Sequence, residues 1–487
     1  MQMGYNLVEQ SELAGSLPAG PTVSIPSFPS AASRGTPVTV PNGAVLTRLC
    51  YSCDRHWEVS MRRPVVVLSL VSFMLCVQLP AADTVTVDHR LFAGLAHMDG
   101  IWAALTVARD GKVYIGLAYH GGDGHIVCFD PVPDRVIDLG NLTQLCGESA
   151  LRRGPQSKIH AKFGEGKDGR LYFGTHAGYW WNYARLGTKE GYPGAHWMAY
   201  DPKTGKTEDF GIGLRYEGIN TGAYDPLFNR IYGLTHPRGH FVYFDVSTRK
   251  SVDMGRVNNW ESICRTLGVD DEGNVYGNSG AGQIYKYDPR TDQITELPLR
   301  VPTRPKGVSL GRDYAKSETH WRTVIWDDMG KRFYGVDESA SLLFSFEPRV
   351  GPQGEVRHLG QLSTEAAKES RDIPYATLTL TLGLDRKLYY AIPQREFDYG
   401  GSSGAGVSHL ITYDLKSGKT EDRGEMRLKD GRAVIGLNAA HTAPDGTIYF
   451  VGAIELREEP GKQLESAGRI GNTPYRLALV FLRPSRK

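Results

Sequence analysis

An excess of charge is the first thing this chain lacks. Lys and Arg total 56 against 54 Asp and Glu in 487 residues, a formal +2. Such a balance gives no general attraction to nucleic acid or to an anionic membrane surface. Cysteine is also scarce, at six, so no disulfide framework can carry the fold. No helical periodicity of useful length appears. Missing too are a G-x-S-x-G turn in a strand–turn–helix setting, a phosphate-cradling loop, a Rossmann fingerprint and an HExxH motif. Nucleotide chemistry and the familiar zinc-protease pattern are therefore set aside.

Turn-forming and strand-forming residues fill the space, with 57 Gly and 25 Tyr. Residues 61–82, MRRPVVVLSLVSFMLCVQLPAA, run from two arginines through an apolar stretch at Val65–Leu79 to small residues. This is the order of a secretory signal peptide. The stretch is shorter than the roughly 20 residues of a membrane helix. A signal this deep in a chain points to Met61 as the start, with residues 1–60 a disordered or mis-translated extension. Cys50-x-x-Cys53 beside His56 is half of a zinc pattern with no second half, hence an accident of spacing. The mature chain is expected to begin near Asp83, in a secreted or periplasmic setting with no membrane span left. Of Cys128, Cys146 and Cys264, the first two flank one connection and are the natural pair for any disulfide.

From Asp83 onward a unit repeats. An alternating segment meets an Asp/Gly turn, a second follows, a third ends in Tyr/Phe-Asp-Pro, and a fourth closes the unit. LTVARDGKVYIGL…HIVCFDP and KIHAKFGEGKDGRLYFGTH…HWMAYDP are two copies. Asp-Gly is a hairpin turn signal, and proline ends a strand because it cannot continue the ladder. Four short strands at a pitch of roughly 40 to 60 residues describe a β-propeller blade. The predicted fold is all-β over 83–487: seven four-stranded blades, with the N-terminal strand at Asp83–Phe92 completing the last.

Registering the hairpins on their turns aligns His160 with Asn220 and His176 with His236. The same register places Trp102 and Ala118, Cys264 and Gly280, Arg322 and Glu338, and Thr377 and Pro393 at matching positions. Polar groups thus gather on one face of the second and third units, at His160, His176, Asn220, His236 and Arg238, whereas Leu437 occupies the equivalent place in the seventh. Tyr216 enters this face, while Tyr224 falls toward the opposite end. The insertion Tyr179–Trp197 brings Trp180 and Trp181, aromatics suited to stacking on sugar rings. Against this stands a plain alternative, in which the histidines are hydrogen-bonded structural residues and the loop packs on itself. His160, His176, His236 and His240 lack a metal-specific spacing, so no metal ligands are assigned.

A propeller with a histidine pair on one blade and an arginine on the next resembles the propeller-type polysaccharide lyases that cleave ulvan. The resemblance implies β-elimination at a uronate in an acidic polysaccharide or oligosaccharide. His160 and His176 would match the family's histidine pair and Arg238 its arginine, with Tyr216 or Tyr224 as the tyrosine. Asn220, His236, Trp180 and Trp181 would contact the substrate. No cofactor is required, and any metal ion would be structural. The alternative is a non-catalytic propeller that binds a glycan or protein on the same face. Other propeller enzymes, such as metal-dependent hydrolases or lactonases, come after both.

Overall fold

A computed structural model describes residues 83–151, 153–178, 190–257, 264–279, 282–302, 320–370, 376–394, 406–457, 464–470 and 472–483, all within the compact unit Val77–Lys487. The expected extension, the signal segment, Trp180 and Trp181 lie outside the described residues.

Each inner hairpin turns at an aspartate between two apolar strands. In four of the turns the aspartate also accepts from a tyrosine on the following strand: Tyr114 to Asp110, Tyr172 to Asp168, Tyr276 to Asp270 and Tyr389 to Asp385. The local sequence therefore fixes both the turn and the register of the strand that leaves it. Four sheets are four-stranded antiparallel meanders. The first holds Leu105–Val107, Val113–Leu117, His125–Asp130 and Arg135–Asn141. The third runs from Gly218–Asp225 to Lys250–Arg256, the fourth from Gly268–Val269 to Gln293–Arg300, and the fifth from Trp321–Asp327 to Glu355–Gln361. The second has five strands, because its innermost strand is broken into Lys158–Ile159 and Gly164–Glu165, both paired with Leu171–His176. His160 sits in that break, and its carbonyl accepts from the N–H of Ala103 in the neighbouring unit at 3.1 Å.

The expected seven separate four-stranded blades are not what forms. The propeller has five discrete blades, and the remaining strands make one nine-stranded sheet. The cause is the strand Thr84–Leu91. Its second half pairs antiparallel with the terminal strand, Asp88 opposite Phe481 through Leu91 opposite Ala478. Its first half pairs in parallel with Thr420–Leu428, Thr84 opposite Glu425 through Val87 opposite Leu428. One strand thus joins the sixth and seventh sequence units edge to edge, which leaves neither with an open edge there.

The cores lie between the faces of neighbouring sheets. Ala104, Ile126, Leu171, Phe173 and Met198 pack the first sheet on the second, and Trp197, Ile219, Val242 and Phe244 pack the second on the third. The approach is close: a Cβ added to Gly174 would come within 2.7 Å of Ile219. Cys128 and Cys146 are buried in the first of these cores as free thiols, as is Cys264 elsewhere. Cys128 and Cys146, the natural pair for any disulfide, are not bridged, and Cys146 Sγ instead lies 3.3 Å from Met198 Sδ.

Candidate functional site

Where the inner hairpins of the first three sheets open, opposite their turns, four rings stand in sequence. Trp102 stacks on His160 with centroids 5.1 Å apart, His160 lies 5.6 Å from His176, and His176 stacks on His236 at 5.5 Å. His120 meets Trp102 edge-on at 5.1 Å, and its Nδ1 lies 2.8 Å from an Asp99 carboxylate oxygen. Lys158 directs its ammonium over the Trp102 ring, 4.1 Å from the centroid, and donates to the Gly178 carbonyl at 3.3 Å. A cation over an indole face is favourable, the more so once desolvated.

Burial sets the protonation of this row. His160 and His176 are each 3% exposed and His236 8%. Desolvation first, and then the positive charge of Lys158, hold His160 and His176 well below the ordinary imidazole range. Desolvation, Lys158 and Arg265 bring His236 to about 3. Desolvation also lowers Lys158, to about 7, with Asp99 opposing and Arg265 adding to the shift. The imidazoles are therefore neutral at ordinary pH, and a neutral imidazole can accept a proton through its bare nitrogen.

His160, His176 and His236 meet as the hairpin register places them. Asn220 lies on the adjoining inner strand, fully buried, where the register shifts between Ile219 and Thr221. Neither of its side-chain polar atoms has a hydrogen-bond partner among the described residues, and the same holds for His160 Nδ1. Buried polar atoms without partners are uncommon enough in folded proteins to call for a cause. Arg238 is placed differently. Its guanidinium is 53% exposed and bound to the buried Glu217, Nε to Oε1 at 2.6 Å, with a second bond to the Arg215 carbonyl at 3.2 Å. Tyr216 is half-buried beside Glu217, in the left-handed region at φ 67°, its N–H bonded to the Pro193 carbonyl. Tyr224 stacks on Tyr172 and donates to Asn229 at the turn end of its hairpin. His240 is bound to Asp253 and takes no part in the row.

A second buried group was not anticipated. On the fourth and fifth sheets, Glu338 lies 3.4 Å from Arg322 Nη1 and 3.7 Å from Arg265 Nη2, and touches His320 Nε2. All four residues are 5% exposed or less. Burial would raise the Glu338 carboxyl, but His320, Arg265 and Arg322 more than offset this and lower it. The signal was in the sequence: Arg322 and Glu338 are sixteen residues apart, as are His160 and His176, and Asn220 and His236. Lys158 pairs directly opposite His176. Elsewhere, an open groove of about 570 Å³ is lined by Leu299, Arg300, Val356 and His358, on the outer strands of the fourth and fifth sheets, so it is separate from the channel row.

No helix among the described residues is long and apolar enough to cross a membrane. No family model matches the sequence, and no curated protein does. Among solved structures, the chain is similar to an extracellular domain assigned to a hybrid two-component system of B. thetaiotaomicron, at 13% identity and a TM-score of 0.48. That match covers 81% of this chain but 39% of the other, so the chain spans about two fifths of it. It is also similar to the WD40 repeats of RRP9, at 10% identity and a TM-score of 0.49, over 83% of this chain and 99% of that one.

Proposed function

We propose that this protein is an exported propeller that seats an acidic polysaccharide over the channel mouth and cleaves it by β-elimination at a uronate. The observation that carries this reading is the row of three neutral imidazoles in ring contact beside cationic side chains. A neutral His160 takes the proton from C5 of the uronate. The electron pair left behind forms the C4–C5 double bond as the C4–O4 bond breaks, and the departing oxygen takes a proton from a phenol, for which Tyr216 is the candidate. The products are an unsaturated uronate and a chain ending in a new hydroxyl. Cations around the uronate carboxylate make the C5 proton removable by stabilising the enolate that develops. In the family resemblance this role belongs to Arg238, whose guanidinium is engaged by Glu217.

The near-complete burial of His160, His176 and His236 favours a second reading, in which the same face binds an acidic glycan or a protein without turnover. Incubation of the chain from Asp83 onward with a panel of uronate polysaccharides separates the two. Cleavage gives a rise in ultraviolet absorbance from the new double bond. Retained binding with no such rise on any acidic polymer would eliminate the lyase reading and leave the binding one.

A further inference from the structure

Beside the imidazole row stands one buried ammonium, that of Lys158. The residue is 6% exposed and pairs opposite His176 on the neighbouring strand. Its ammonium lies 4.1 Å from the Trp102 ring centroid, and the same indole stacks on His160 at 5.1 Å. An ammonium has three N–H donors. Among the described residues one goes to the Gly178 carbonyl, at 3.3 Å, and none to a carboxylate. The preceding carbonyl, that of Ala177, lies 2.6 Å from His176 Nδ1. These contacts tie the ammonium to both histidines of the hairpin. Asp99, the acid whose charge opposes the lowering of Lys158, is bound by the N–H and the ring of His120. A buried charge without an opposite partner costs free energy, and an indole face returns only part of it. His160 Nδ1, also buried, has no hydrogen-bond partner among the described residues.

We propose that Lys158 holds the carboxylate of an acidic sugar beside Trp102, through the two N–H groups that have no acceptor among the described residues. One positive charge is neutralised by one carboxylate, whereas a dianion such as sulfate would leave a net negative charge buried. The carboxylate in turn keeps the amine protonated, because an opposite charge close by favours the charged form. This inference rests on the reading that the face takes an acidic ligand. It gives the acid group to Lys158 and not to Arg238, whose guanidinium is already bound to Glu217.

Calorimetric titration of the chain with D-glucuronate, D-glucose and sulfate tests it. The measurement is made at about pH 6, where Lys158, lowered to about 7, is protonated and a carboxylic acid is ionised. Glucuronate should bind at least about tenfold more tightly than glucose or sulfate. Lys158→Met, which keeps the stem and removes the charge, should weaken glucuronate about tenfold or more. Should that variant fail to fold, acetylation of the wild type by acetic anhydride, read at Lys158 by peptide mass, decides. Glucuronate should slow that reaction about fivefold or more, and glucose should leave it unchanged. Unchanged affinity in folded Lys158→Met would overturn the assignment, as would acetylation that glucuronate does not slow, or a loss of binding confined to Arg238→Gln. So would a wild type that ignores glucuronate. Because the absorbance assay is independent of these measurements, a chain that cleaves polymer yet gives any of these results loses the Lys158 assignment and keeps the lyase reading. A chain that binds glucuronate through Lys158 and cleaves nothing keeps the assignment and loses the lyase.

Discussion

Two sets of histidines share this propeller, and they have been put to opposite uses. His125, His196, His240 and His409 lie at or near the start of the third strand of their units, each thirteen residues before an aspartate on the fourth. Their Nδ1 atoms are 2.9–3.1 Å from the carboxylates of Asp138, Asp209, Asp253 and Asp422. Each aspartate also accepts from the N–H of a glycine two residues on: Gly140, Gly211, Gly255 and Gly424. All four glycines have positive φ and follow the aspartate at the irregularity where the ladder shifts register. The histidine is a clip across a bulge that would otherwise leave the two outer strands poorly joined. In the inner set, at His160, His176 and His236, rings face rings and cations. Residue type alone decided nothing; the nearest charge did.

The largest expected effect separates the sets by chemistry. His160→Ala should reduce uronate elimination by at least about a hundredfold, the range of a lost general base. His240→Ala, in an outer clip, should leave the rate of absorbance rise within a factor of about two. If both variants turn over normally while the wild type cleaves, His160 is not the base.

The next effect reverses the roles. His196 is the most buried of the clips and lies between two acids, with Nδ1 2.9 Å from Asp209 and Nε2 3.3 Å from Glu148. His196→Ala leaves Glu148, itself 5% exposed, without that counter-charge. Removing one partner of a buried pair costs about 3 kcal/mol or more, which urea unfolding would measure. A loss below about 1 kcal/mol would mean the clip acts like a surface pair.

Much of this was legible beforehand. The turns, the strand units and the hairpin alignment of His160 with Asn220 all follow from short-range signals, because a hairpin's register is set by its own turn. The nine-stranded sheet was not legible, since nothing within Thr84–Leu91 says that one half will pair with each of two units distant in sequence. The ion pair of Arg238 was not legible for a related reason: its partner Glu217 precedes it by 21 residues, outside the hairpin used for alignment. The clip pattern, by contrast, stands in HIVCFDPVPDRVIDLG, HWMAYDPKTGKTEDFG, HFVYFDVSTRKSVDMG and HLITYDLKSGKTEDRG. It escapes a register taken from the inner hairpins, because the histidine and its aspartate lie on the third and fourth strands.

Acidity should sharpen the contrast with a moderate effect of opposite sign in the two sets. Unfolded histidines titrate at about 6.5. Burial alone would lower His196, but Asp209, Cys146 and Glu148 outweigh it and raise the folded value to about 11. Its contribution is fully present below about 6.5 and is lost as pH rises toward 11. His236 is depressed to about 3, so its contribution is present above about 6.5 and is lost as pH falls toward 3. Urea midpoints across pH should show His236→Gln flattening the acid limb and His196→Gln flattening the alkaline one. Identical curves would remove the distinction between the sets.

The smallest effect tests how far the clip idea extends. His240 and Asp253 have side chains 21% and 37% exposed, so water screens the pair and competes for both partners. An exposed pair is worth about 0.2–1 kcal/mol, and the Gly255 N–H keeps its bond to Asp253 at 2.9 Å whether or not the histidine is present. His240→Gln should therefore lower stability by less than about 1 kcal/mol, while Asp253→Ala, which removes both bonds, should cost more. If the two variants are equally stable, the aspartate–glycine bond contributes nothing and the histidine alone holds the bulge. If Asp253→Ala is the worse of the two, the clip is built on the aspartate, and the histidine adds to a turn already made.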